Sequence, residues 1–199
     1  MNFKSIAKKM IRLKNADLQL RDELIRKGEL GNGYHEEMQA LHHKNAEILN
    51  EIIDSIGYPM AEKVGQEAAD AAWMVIQHAI GKPHFMRKCL KLMEDSAPIS
   101  HAERINIAYL SDRIAVFEGR PQLYGTQFDW DENGQLSPNV YDDLNQVNER
   151  RKLLGLNSLE DQTALIRSRA RKENQHAPAD LEQRNKEMEA WKKSVGWII

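Results

Sequence analysis

The side chains in this sequence with the means to do chemistry fall into two groups. The first is the pair Gln77 and His78 in the run AAWMVIQHA. Imidazole titrates near neutrality, so His78 suits the role of a general base. The second is Asp112 with its neighbour Arg113, followed shortly by GRPQLYGTQF at 119–128. That stretch crowds Gln122, Tyr124, Thr126 and Gln127 into a few positions, all of them neutral groups that both donate and accept hydrogen bonds or can be held by them. A carboxylate beside an imidazole orients the ring and stabilises its cation. The expected site therefore has His78 and Asp112 as its catalytic pair. Gln77, Arg113, Gln122, Tyr124, Thr126 and Gln127 are its ligand-binding residues, with Arg113 as the anion clamp and the amides as positioners. The competing reading is structural: Asp112 pairs with Arg113 or Arg21 or caps backbone groups, and the amides hold a helix against the segment that follows it.

Other chemistries are tested by their signatures. There is no phosphate-cradling G-x-x-x-x-G-K-[ST] loop and no G-x-S-x-G elbow. The single cysteine, Cys89, rules out an internal disulfide and has no activating motif beside it. His35, His42, His43 and Glu47 invite a metal reading, and His43 and Glu47 share a helical face at i, i+4, but that face offers no third ligand and no HExxH run. The expectation is a site with no metal and no cofactor, in which His78 activates water directly. His84, His101 and His176 are read as exposed loop or cap residues.

Helical patterns must position these groups. Ile6, Met10, Leu13, Leu20 and Leu24 recur at helical spacing from about Phe3 to Lys27. KGELGNGY breaks that pattern with glycines. A second pattern, Glu36 to Ile56, stops at Gly57. QEAADAAWMVIQHAIG is apolar nearly all round, as befits a helix in the middle of a domain. KPHFMRKCLKLMEDSAP is a further helix closed by Pro98. SHAERINIAYLSDRIAVFEG opens with a Ser100–Glu103 capping box and stops at Gly119. Its stripe of Ile105, Ala108 and Ala115 is interrupted by Asp112, where a carboxylate is costly unless paired.

PQLYGTQFDWDENGQLSPNVY then alternates as a strand does, with ENG as a tight turn and a return strand around Gln135 to Ser137. Gly125 within it marks a bulge or a place where something lies against the backbone. Helical spacing resumes after Pro138, again after Ser158, and in a last helix from about Pro178. The fold class is mainly α: a single-domain multi-helix bundle over 1–199, with one β-hairpin inserted at about 121–137 and a C-terminal helix and tail over 178–199.

The formal charge of −2 supplies no pull toward a polyanion, and the basic segments lack interleaved aromatics, so nucleic acid is not the expected partner. No apolar run approaches a bilayer span and the N-terminus lacks a signal-peptide core, so a membrane is not a partner and a cytoplasmic location is expected.

The motifs GYP (57–59), AAWMVIQHA (71–79), AYLSDR (108–113), GRPQLYGTQF (119–128) and VNERRKLLGL (147–156) occur in this order. The chain resembles a bacterial family of uncharacterised proteins with the pattern GWP, QHA, A-x-L-x-D-R, G-x-P-Q-x-Y-G-T-Q and R-R-x-x-G-L. The resemblance runs roughly from Asp17 to Leu156. Tyr58 stands where the pattern has Trp, and His42 and His43 stand where it has an acid before KNAEILNEII. The resemblance locates a site without implying an activity. The expected function is a polar pocket for an unknown small molecule, a hydrolase or lyase with His78 as acid/base. The alternative is an interaction module, binding a protein partner or a second copy through the C-terminal helix, with the polar cluster structural.

Overall fold

The computed structural model describes residues 2–29, 34–96 and 99–199. Gly31, Gly33 and Pro98, read above as helix breakers, lie outside the described residues. The described residues are mainly α with one antiparallel hairpin, the expected class. The chain divides into two compact units, Met1–Ala97 and Pro98–Ile199.

Unit 1 is helical: α1 (Phe3–Lys27), α2 (Glu36–Ile56), the single turn α3 (Ala61–Val64), α4 (Gln66–His78) and α5 (Pro83–Glu94). The nearly all-apolar α4 packs against each of the other four. Its Ala68, Ala71, Ala72, Val75 and Ile76 are buried beside Met10, Leu24, Leu49 and Met86. Small residues on α4 let its neighbours approach closely, and larger side chains from α1, α2 and α5 fill the space. α1 ends on Gly28, whose φ of 72° is the left-handed cap that closes a helix C-terminus. α4 stops at His78 because Gly81 and Pro83 follow, the latter opening α5 at a position where no amide proton is needed.

Unit 2 contains α6 (His101–Phe117), β1 (Phe128–Trp130), β2 (Leu136–Pro138), α7 (Leu144–Leu153), α8 (Leu159–Lys172) and α9 (Leu181–Val195). The Ser100–Glu103 capping box opens α6 as expected. The hairpin pairs Phe128 with Pro138, Asp129 with Ser137 and Trp130 with Leu136. Asp131 holds its turn, accepting from the Asn133 and Gln135 amides and the Ser137 hydroxyl. β2 lies along α8, where Arg167 donates to the Leu136 carbonyl and the Ser137 hydroxyl. The C-terminal tail docks within the unit: Trp197 is buried and stacks on Phe117, with ring centroids 5.0 Å apart.

The strand expected from 121 begins only at Phe128. Residues 121–127 form an irregular loop with an isolated bridge from Gln122 to Tyr141, backed by hydrogen bonds from the Gln122 amide to the Val140 carbonyl, from the Asp142 amide to the Gln122 carbonyl and from the Asn139 amide to the Gln127 carbonyl. Alternation did not become a ladder there because the loop amides bond to a side chain instead, as described below.

Candidate functional site

The sequence-predicted residues divide between the two units, and each group has its own partners. In unit 2, Asp112 is almost wholly buried on α6. Its Oδ1 accepts from the amides of Leu123 and Tyr124 at 2.8 and 3.1 Å, and its Oδ2 from the amide of Thr126 at 2.9 Å. Gln122, fully buried, accepts from the Gln127 amide and donates to the carbonyls of Gln127 and Asn139. Gln127 donates to the Thr126 hydroxyl and, at 3.5 Å, to the Tyr109 carbonyl. From α7, Arg150 takes the Leu123 carbonyl and Arg151 the Tyr124 carbonyl. The loop 122–127 is thus clamped on its amide side by a carboxylate and on its carbonyl side by two guanidinium groups.

Gly125 has a φ of 62°, and a Cβ there would strike the Leu159 side chain. What lies against that backbone is the chain's own α8. Tyr124 and Arg113 are half-buried, and burial lowers the pKa of Arg113 from its usual value. A cleft of about 510 Å³ in this unit is lined by Ser137, Tyr141, Leu159, Thr163 and Arg167 among others, and none of the predicted site residues lines it.

In unit 1, His78 is the last residue of α4 and Gln77 is buried beside it. The carboxylate bonded to the His78 ring is Asp17, from α1: His78 Nδ1 lies 2.8 Å from Asp17 Oδ2. The second residue against Asp17 is His42, from α2, with Nε2 3.0 Å from the same oxygen. That distance is right for an ion pair, but the ring N–H direction misses the oxygen, so no hydrogen bond forms at Nε2. His42 Nδ1 lies 2.6 Å from the Tyr34 hydroxyl, which is also 3.5 Å from the His78 carbonyl. The two imidazoles are tilted together with centroids 5.0 Å apart. Asp17 is 0% exposed and His42 8%, whereas the side chain of His78 keeps 33% of its surface in solvent.

These positions follow from helix periodicity. Met10, Leu13, Asp17, Leu20 and Leu24 step along one stripe of α1 at intervals of three and four. Met38, His42, Asn45, Leu49 and Ile52 do the same on α2. Asp17 and His42 therefore occupy places where an apolar residue is expected. Asn45 donates to the Leu13 carbonyl at 3.2 Å, pinning α2 to α1 one turn before Asp17. The polar break in each stripe was a legible signal: the same reasoning that singled out Asp112 applies to Asp17.

Burial pulls the Asp17 pKa up, but the two histidines outweigh it and hold the carboxyl well below the usual range. Burial, then the charge of Asp17, pushes the Tyr34 phenol above its usual value, so it stays protonated. Asp112 goes the other way: burial raises it, and the three loop amides only partly offset that.

Of the histidine cluster considered from sequence, His42 alone belongs to this group. His35 caps α2 by accepting from the Glu37 amide. Glu47 pairs with Lys82. His43 packs on Gly81, where any side chain would collide with the imidazole. Among the described residues, Asp17, His42 and His78 each bring one metal-ligating atom within 4.8 Å of the others.

A family profile matches residues 5–171, well over half of the chain. The chain belongs to DUF6624, a family of unknown function. The match takes in α1 through most of α8, so it covers both the Asp17–His42–His78 cluster and the clamped loop. No curated protein and no solved structure matches the chain. Among the described residues, no helix of this family member is long and apolar enough to cross a membrane.

Proposed function

We propose that unit 1 carries a site for a small polar molecule, where His78 moves a proton in a hydrolytic or eliminative reaction. The observation that carries this reading is the 2.8 Å contact between His78 and a wholly buried Asp17, on a ring that keeps a third of its surface in solvent. A buried carboxylate orients the ring and stabilises the imidazolium, while the solvent-facing side can meet a ligand or a water. Asp17 thus takes the part that the sequence assigned to Asp112. Gln77 stays in the proposal as the buried amide next to His78. Asp112, Gln122, Thr126 and Gln127 leave it, because their hydrogen bonds go to their own loop and hairpin.

The experiment is a thermal-shift screen of small carboxylates, amides, esters and phosphates against the unsubstituted chain and His78→Ala. A compound that stabilises the first and not the second supports the reading. A compound that stabilises both equally, or a complete lack of stabilising compounds, overturns it.

A further inference from the structure

The geometry points to a divalent transition-metal site formed by Asp17, His42 and His78, with Tyr34 as the residue that sets the His42 tautomer. This rests on reading the cluster as the functional site. It changes one clause of that reading: with an ion bound, His78 is a ligand rather than the base.

Three observations carry it. The first is donor type and spacing. Two imidazole nitrogens and one carboxylate oxygen converge, with the nitrogens 2.8 and 3.0 Å from Asp17 Oδ2. Donors about 2.1 Å from one ion are about 3 Å apart at right angles and about 3.4 Å apart at tetrahedral angles. The two spacings from Asp17 Oδ2 fit the right-angle case, and all three donor atoms lie within 4.8 Å of one another. Two histidines and one carboxylate with other positions open is a donor set suited to six-coordinate first-row ions.

The second is the state of His42. A hydroxyl has one proton, and the His78 carbonyl beside it can only accept. With that proton on the carbonyl, the Tyr34 oxygen accepts from His42 Nδ1–H at 2.6 Å. The lone pair then sits on Nε2, facing a carboxylate oxygen 3.0 Å away. Two lone pairs face to face repel. A proton on Nε2 of the neutral ring fares no better, because it is buried with no acceptor in line. A positive charge between the two atoms, an imidazolium proton or a metal ion, satisfies both. A histidine ligand whose other nitrogen is fixed by a neighbouring group is the usual outer-shell arrangement of metal sites.

The third is Asp17 Oδ1, which is buried and has no hydrogen-bond partner among the described residues. A fully buried carboxylate oxygen left unsatisfied is costly, and coordination is one of the few ways to satisfy it. The carboxy-terminal end of α4 at His78 adds the negative end of a helix dipole, which favours a cation there. Once bound, such an ion acidifies its coordinated water and supplies hydroxide near neutral pH.

The test is a Co(II) titration of the full chain after chelator treatment, followed by visible absorption and calorimetry. One ion bound per chain is expected, with affinity reduced at least about 100-fold in D17N, H42A and H78A. Y34F removes only a hydroxyl and should weaken binding roughly 10- to 100-fold. Failure of the unsubstituted chain to take up Co(II) overturns the proposal, an outcome that depends on no variant folding. Unchanged uptake by D17N or H78A, with helical circular dichroism intact, also overturns it. The thermal-shift screen, run in chelator, separates the two ideas. Ligand binding without Co(II) uptake leaves His78 as a metal-free base. Co(II) uptake without a stabilising ligand leaves the metal site and removes the small-molecule reading.

Discussion

Asp17 in unit 1 and Asp112 in unit 2 are the two buried aspartates among the described residues. Both interrupt an apolar helix stripe, and both carry a charge out of water. Their partners differ in kind. Asp112 faces three backbone amides at 2.8 to 3.1 Å, which cannot leave, titrate or exchange. Asp17 faces two imidazoles, which can gain or lose a proton or bind an ion, and one of its oxygens has no hydrogen-bond partner among the described residues. Amides close a carboxylate off and turn it into a fastener. Imidazoles leave it chemically open. A buried acid on an apolar face is thus a sign of purpose, and its partners tell which purpose.

The largest effect should come from Asp112→Ala. It strands three part-buried loop amides at once, and losing that set costs about 3 kcal/mol in chemical denaturation. Co(II) binding should persist at temperatures where the variant is folded. A loss below about 1 kcal/mol would show that the loop does not depend on its carboxylate.

Gly125→Ala and Gly81→Ala come next, at about 2 kcal/mol each, since both put a methyl group into occupied space. They should differ in rescue. His43→Ala should restore Gly81→Ala nearly fully, because only the clash is at fault. Leu159→Ala should restore Gly125→Ala only in part, because φ at 125 is 62° and strains any side chain. Equal rescue of the two would refute the backbone argument.

Asp17→Asn keeps the shape and loses the attraction to two rings, for about 1–2 kcal/mol in the metal-free protein. It should abolish Co(II) uptake. The contrast with Asp112→Ala is the point: the smaller loss of stability goes with the larger loss of binding.

The smallest effect is in the acid range, where the two acids should slope in opposite directions. Asp17 is lowered from its usual 3.8, so its stabilisation is complete above that value and is lost as pH falls through the folded pKa. Asp112 is raised from 3.8, so its contribution is complete below that value and is lost as pH rises through the folded pKa. The cost of Asp17→Asn should therefore grow as pH rises from strongly acid to about 5, and that of Asp112→Asn should shrink. Denaturation in chelator at a series of pH values checks this, and parallel slopes would contradict it.

Helix boundaries were plain in the sequence. Phe3–Lys27 and Glu36–Ile56 agree at both ends, because caps and stops are local chemistry. The central place of α4 was legible too, since a helix apolar on all sides has to be surrounded. The region 121–127 was misread as strand. Its alternation was real, but whether amides bond to a neighbouring strand or to the Asp112 carboxylate is not written in the alternation. His78 was found as an odd residue in an apolar run. Asp17 was passed over, although it breaks the α1 stripe in the same way.

The order of residues settles the helices, their apolar faces and the polar residues planted in those faces, because these depend on spacings of three and four along the chain. Which polar residue meets which depends on how the helices cross. Asp17 and His78 are 61 positions apart, and α1 and α4 meet there only because small residues on α4 let the helices pack closely. Asp112 and its three amides are separated by 11 to 14 positions, yet that pairing too needed a loop to fold back on its own helix. Local spacing sets what each face can offer, and long-range packing sets what it is offered to.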